Sequence, residues 1–231
     1  MRDLNLNSLE RDEQLNDAHI KSASSGGNSA PVWIGIQGGD CAGKTSLASA
    51  LADNLGSSST LIIELDTFYL PVDRSSINDP TTHSFDHPSS LDWNLVKEVS
   101  KDLSSCQSTR LPIYDYVTGL RTGWLPVESP KFIVVNGLWA FDKVLIDLYR
   151  TRVFVDTAPE IRLVRRLQRE LTKQPRGWSV NDALIYYVQC IRPSFKEFTE
   201  PGQGIAHVIV SGEESIEIGV AKILQALGTS A

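Results

Sequence analysis

Gly38-Gly39-Asp40-Cys41-Ala42-Gly43-Lys44-Thr45 satisfies the spacing GxxxxGK[ST]. At that spacing the glycines let successive backbone N–H groups face phosphate oxygens, the lysine reaches the β- and γ-phosphates, and the hydroxyl residue holds Mg²⁺. The chemistry is therefore capture of a nucleoside triphosphate by Gly38 to Ser46, helped by the positive end of the helix that the loop opens. So short a motif needs its setting, a strand before and a helix after. Val32-Trp33-Ile34-Gly35-Ile36 reads as a short buried strand, and Leu47, Ala48, Leu51 and Leu55 recur at helical spacing up to a stop at Gly56. Cys41 reads as a small residue filling a variable loop position, rather than as a redox switch.

Asp66 follows the apolar strand Leu61 to Leu65. In an open parallel sheet, ligands bind in the crevice outside the carboxyl ends of the strands. A carboxylate there can take a proton from an attacking hydroxyl and orient Mg²⁺; the alternative, weaker even for this residue alone, is a strand-end cap or turn aspartate. Arg162, Arg165, Arg166 and Arg169 recur at three- and four-residue intervals on a helix that starts at Pro159, and so share a face. Beside a phosphate loop, that row suits guanidinium stabilisation of a triphosphate; the bland alternative is a solvated basic face. Lys173 to Trp178, which includes Arg176, reads as a hinge-like segment after this helix. His83, His87 and His207 have no nucleophile or metal partner at a readable spacing, although His87 could assist beside Asp86, and Trp33, Trp93, Trp124 and Trp139 read as packing residues.

The elements that must position these residues alternate strand and helix. Phe132 to Val135, Val153 to Asp156 and Val208 to Val210 are further apolar strands, and helices are expected over 91–103, 140–149, 159–171, 180–200 and 214–227. Residues 112–127 read as a hairpin with turns at Gly119 and Gly123, and residues 70–90 as a long loop of the kind that usually carries function. Apolar strands without polar alternation are buried on both faces, which implies a parallel sheet between helical layers. Residues 1–30 read as a disordered polar tail and 31–231 as one folded domain. The chain has 231 residues and a formal net charge of −6, which argues against a surface that wraps nucleic acid. Its three cysteines, spaced without a CxxC pair, suggest neither disulfides nor zinc, and neither a leader nor a membrane span is legible, so a soluble cytoplasmic protein is expected.

In their order, Gly38 to Thr45, Asp66-Thr-Phe-Tyr69, Ser84-Phe-Asp-His-Pro88, Pro112-Ile-Tyr-Asp-Tyr-Val117, Phe154 to Thr157, Arg162 to Arg166, Arg192 to Phe198 and Ala206 to Val210 resemble the uridine kinase and phosphoribulokinase family. The resemblance implies a P-loop α/β fold: a five-stranded parallel sheet flanked by helices, with a β-hairpin over the acceptor site and an arginine-bearing lid. It implies ATP-dependent transfer of the γ-phosphate to a small-molecule alcohol or nucleoside, with Asp66, Lys44 and Arg169 catalytic and Thr45 and Asp66 positioning Mg²⁺. Arg165, Arg169 and Arg176 would join the loop on ATP, while Asp66, Tyr69, Asp86, Tyr114, Tyr116 and Arg166 would surround the acceptor. A homo-oligomer is an open option.

Asn136, Gly119, Trp178 and Tyr186 depart from the uridine-phosphorylating relatives, which carry at those positions a glutamate, a histidine, an arginine and a glutamine. Those losses turn the expected acceptor away from uridine itself, and they keep open a second reading as a nucleotide sensor or scaffold with weak transfer. A GTP-hydrolysing switch is disfavoured because no NKxD motif occurs.

Overall fold

Strand β1 (Val32–Gly38) is buried along nearly its whole length and β5 (Phe132–Gly137) along all of it, the continuous apolar character that a central parallel strand requires. The structure, a computed structural model, describes residues 29–72, 85–173 and 179–228. The expected tail up to residue 28, His83, Ser84, Arg176, Trp178 and most of the hinge-like segment lie outside the described residues.

With β2 (Thr60–Glu64), β6 (Tyr149–Asp156) and β7 (Val208–Ser211), the two strands form a five-stranded parallel sheet in the order β2-β5-β1-β6-β7. In register, Asn136 stands between Ile36 and Glu64, and Gly38 stands beside Val155. The phosphate loop, the turn holding Asp66 and the Asn136-Gly137 pair therefore leave the sheet at one edge, which is where the crevice rule puts a ligand.

One face of the sheet is covered by α1 (Lys44–Leu55) and α5 (Ile216–Leu227), which press Leu47, Leu51, Val220 and Ile223 onto Ile34, Ile36, Val134 and Val153. The other is covered by α2 (Trp93–Ser104), whose Val96, Val99 and Leu103 meet Trp33, Ile63, Ile133 and Val135. Asp92 starts α2 by accepting from the Leu95 N–H at 3.1 Å.

The expected hairpin is β3 (Thr109–Asp115) with β4 (Leu120–Val127), turned at Gly119, where φ is +76°. It buries Leu111 and Tyr114 in the α2-side core. Trp124 departs from its expected packing role, for it is 38% exposed and lies between the guanidinium groups of Arg110 at 4.4 Å and Arg121 at 5.2 Å.

Two helix expectations need correction. Residues 140–149 form turns and a short 3₁₀ segment, and Tyr149 already begins β6. There the Phe141 N–H donates to Gln37 Oε1 at 2.7 Å and the Val144 N–H to Asp142 Oδ1 at 2.9 Å, so side chains capture the donors that a helix would need. Over 180–200, α4 (Val180–Tyr186) passes into wide π-type turns at Tyr187–Ile191 and Phe195–Thr199, which flank Pro193, a residue with no N–H to donate. Helix α3 (Pro159–Lys173) carries the arginine row.

Candidate active site

The phosphate loop runs from the end of β1 to Lys44 at the start of α1. Gly43 caps that helix at φ +101°, a conformation side chains rarely adopt, with open space where a Cβ would stand. Gly39 is constrained by contact instead, since a Cβ there would sit 2.1 Å from Arg162 Nη1. The loop is braced from β6 and α3: Thr157 Oγ1 donates to the Ala42 carbonyl at 2.9 Å, and Arg165 donates to the carbonyls of Cys41 at 3.4 Å and Gly212 at 2.8 Å. Lys44 Nζ donates to the Gly39 carbonyl at 2.8 Å, folding across the loop it will serve. Thr45 is exposed on the first turn of α1. The Cys41 thiol is pushed up to about 12 by burial and by Asp40, which makes it a poor nucleophile and agrees with its reading as loop filler.

The arginine row does not act as one face. Arg162 is buried, donates from Nε to the Thr157 carbonyl at 3.1 Å and lies 3.9 Å over the Phe195 ring, so it joins α3 to the wide turns that follow α4. Arg165 grips the loop backbone. Arg166 and Arg169 both reach Asp40, with Nη1 of Arg166 at 2.5 Å from Oδ2 and Nη2 of Arg169 at 3.1 Å from Oδ1. Burial alone would raise the Asp40 pKa, but Arg169, Arg166 and Lys44 together hold its carboxyl well below the usual carboxylate range. Arg166 is buried and also faces Glu170 at 3.6 Å, whereas the Arg169 side chain is 41% exposed.

Across the cleft, Asp66 lies in a 3₁₀ turn (Leu65–Phe68) that closes on itself through Thr67 Oγ1 and the Glu64 carbonyl at 2.8 Å. Although Asp66 is exposed at the cleft mouth, the surrounding protein desolvates its carboxyl and raises its pKa, against the opposing charge of Lys44. Burial in turn lowers the Lys44 pKa, with Asp66 and Asp40 opposing. Lys44 and Asp66 are thus each drawn toward neutrality by burial and toward charge by one another.

Phe85, Tyr69, Tyr114 and Tyr116 form a chain of edge-on and tilted rings, with successive centroids 5.9, 5.7 and 5.3 Å apart. The turn that holds Asp66 thereby meets the hairpin. Burial, then the charges of Asp66 and Asp86, raise the Tyr69 pKa well above its ordinary value, so it stays a neutral phenol. Asp86 is buried beside this wall, and its Oδ2 accepts from Tyr186 Oη at 2.8 Å. The same phenol accepts from the Phe85 N–H at 3.3 Å, while Ser194 Oγ donates to the Asp86 carbonyl. His87 packs its ring on Phe198 and accepts from the Ser89 N–H at Nδ1, ending the loop as a local cap.

Asn136 is buried at the end of β5, and its Nδ2 has no hydrogen-bond partner among the described residues. No cluster of three or more His, Cys, Asp or Glu that could cage a metal occurs among the described residues. Mg²⁺ bound with a nucleotide needs no cage, since phosphates and water supply most of its ligands.

The structure sets Lys44, Asp66, Arg166 and Arg169, all expected from the sequence, around Asp40 and the loop, along with several supports that sequence reasoning misses. Gln37 is buried on β1, and it ties Phe141 to the Thr199 carbonyl at 2.9 Å. Thr157 and Phe195 lie in segments that carry the family resemblance but have no expected role there, and Glu170 lies outside those segments; the three hold the loop and the arginines. For Asp40, a carboxylate inside an anion cradle was the available signal.

The fold and this loop define a P-loop α/β protein of the kinase type. The chain belongs to the phosphoribulokinase / uridine kinase family, whose model matches residues 33–217. It is 32% identical over 203 residues to a uridine kinase of Bacillus mycoides (strain KBAB4), covering 85% of this chain and 95% of that protein. It is 30% identical over 196 residues to uridine-cytidine kinase-like 1 of Mus musculus, covering 83% of this chain and 35% of that protein. Among solved structures, D-glycerate 3-kinase from Cryptococcus neoformans superposes with a TM-score of 0.59 at 16% identity, covering 90% of this chain and 93% of that one. A possible uridine kinase from Bacillus stearothermophilus gives 0.56 at 17% identity, covering 88% and 99%. Both structural likenesses concern the fold. No helix among the described residues is long and apolar enough to cross a membrane.

Proposed function

We propose that the protein is an ATP- and Mg²⁺-dependent kinase that transfers the γ-phosphate to a hydroxyl of a small nucleoside-like alcohol. The observation that carries this reading is the position of Asp66, on the turn that follows β2 at the sheet edge where the phosphate loop and Lys44 follow β1, so that a carboxylate and an ammonium attract one another beside the loop. A plain nucleotide binder has no need of a proton acceptor there. An acceptor alcohol does, because its proton must leave as the oxygen attacks in line.

In this mechanism the loop N–H groups and Lys44 would hold the triphosphate, and Thr45 and Asp66 would hold Mg²⁺, which would neutralise phosphate charge. Asp66 takes the hydroxyl proton at its carboxylate. Arg169 supplies a guanidinium to the group in transfer. Tyr114 and Tyr116 offer ring faces to a planar base, and Asp86 offers a carboxylate to neighbouring hydroxyls. The bond from Tyr186 to Asp86 fixes that carboxylate where a glutamine side chain is expected in uridine-phosphorylating relatives, supporting an acceptor other than uridine.

ADP release over a panel of nucleosides, sugars and vitamin-like alcohols tests the reading. Turnover with one acceptor, abolished in Asp66→Asn, is the expected result; ATP binding without turnover on any acceptor would sink it. That second outcome would favour a sensor or scaffold, a reading supported by Asn136, whose buried amide brings no charge to the metal side of the cleft.

A further inference from the structure

A carboxylate inside a loop that binds triphosphate opposes the charge of its own ligand. Asp40 stands between Gly39 and Cys41, within the stretch whose backbone N–H groups are meant for phosphate. The motif leaves this position free, so the sequence does not require an acid there. Its two oxygens are divided between two arginines of unequal freedom. Arg166 is enclosed, its side chain only 3% exposed, with Glu170 at 3.6 Å and the Tyr186 ring at 5.6 Å. Arg169 is one turn further along α3, its side chain 41% exposed, and it reaches Asp40 at 3.1 and 3.4 Å. The first pair is built into the protein. The second is open to water and competes with any stronger anion.

Resting on the reading of Gly38 to Thr45 as a triphosphate loop, we infer that Asp40 is an internal anion that occupies Arg169 in place of phosphate and must be displaced from it when nucleotide binds. Asp40 then remains neutralised by Arg166, while Arg169 turns from the carboxylate to the phosphate. A guanidinium paired with a carboxylate can exchange it for phosphate with little change of geometry, because both present oxygens to the same planar fork. Asp40 thus positions Arg169 before binding and weakens triphosphate affinity, which favours release of the nucleotide product.

The test uses direct binding to the full chain, with inorganic tripolyphosphate, Mg·ATP and Mg·ADP as probes. Asp40→Asn is expected to tighten tripolyphosphate and Mg·ATP about tenfold, equivalent to about 1.4 kcal/mol. Arg169→Gln should remove most of that gain, so the two substitutions are non-additive in a double-mutant cycle. Unchanged or weaker binding in a folded Asp40→Asn protein, or strict additivity, overturns the inference. Should Asp40→Asn fail to fold, side-chain NMR of the wild-type arginines decides. On addition of tripolyphosphate the Arg169 guanidinium signal shifts while that of Arg166 holds; an unmoved Arg169 overturns the inference. Failure of the loop reading itself is separate, since Lys44→Ala would then bind all three probes as well as the wild type does.

Discussion

The two sides of the cleft solve opposite problems with the same residue type. On the nucleotide side Asp40 is held ionised by Arg169, Arg166 and Lys44, which outweigh its burial. On the other side desolvation wins at Asp66 and its pKa rises, although Lys44 and then Arg169 pull it down. Asp86 is buried and accepts from the Tyr186 phenol. A carboxylate surrounded by arginines is a fixed charge that organises a site. A carboxylate short of cations can change its protonation state, which proton transfer requires.

The largest effect that would break this contrast is expected at Asp66. Asp66→Asn should lower kcat by about 10²–10⁴-fold while Mg·ATP still binds, as expected for loss of a general base. Turnover kept at the wild-type rate would remove Asp66 from the chemistry. In the wild type, kcat/KM should fall on the acid side through an apparent pKa above the ordinary aspartate value of 3.8, because the folded site raises it. An acid limb at or below that value would contradict the desolvated environment.

Stability against pH separates the two acids by sign. The Asp40 pKa is depressed on folding, so its contribution is present above the unfolded value of 3.8 and is lost as pH falls below it. The Asp66 pKa is raised, so the folded state binds its proton more tightly; that contribution is full below the unfolded value and is lost as pH rises through the raised one. Melting temperatures recorded across the acid range should therefore fall less steeply for Asp40→Asn than for the wild type, and at neutral pH Asp66→Asn should melt slightly higher. Identical pH slopes for Asp40→Asn and the wild type would mean that the Asp40 pairs contribute nothing on folding.

A smaller effect is expected at Tyr186→Phe. It removes a hydrogen bond to a buried carboxylate and should cost about 1–3 kcal/mol in chemical denaturation, while raising KM for the acceptor more than KM for ATP. An equal rise in both would place Tyr186 in general packing. The smallest belongs to the hairpin, where Trp124→Ala loses two exposed cation–π contacts and should cost about 0.5–1 kcal/mol per contact at most, with turnover unchanged.

Much of the nucleotide side was legible in the chain because local sequence determines it. Gly43 must take a positive φ, Lys44 must open a helix, and the apolar runs of β1 and β5 can only be central parallel strands. Asp66, too, could be placed at a strand end by counting along an apolar segment. The helix expected over 140–149 failed for a tertiary reason, since Gln37 on a distant strand takes the Phe141 N–H.

The partners of each charge were not legible. Helical spacing puts Arg162, Arg165, Arg166 and Arg169 in one row, but only the packing of α3 against the loop and the turns after α4 assigns them to a ring, to loop carbonyls and to Asp40. Likewise, Tyr186 is separated from Asp86 by 100 positions, and nothing in their local sequence links them. A phosphate loop, a parallel sheet and a strand-end acid can be read along the chain, because backbone conformation and burial pattern are written in neighbouring residues. Which acid is neutralised and which can take up a proton emerges in the fold, because that depends on cations and desolvation brought together from distant parts of the chain.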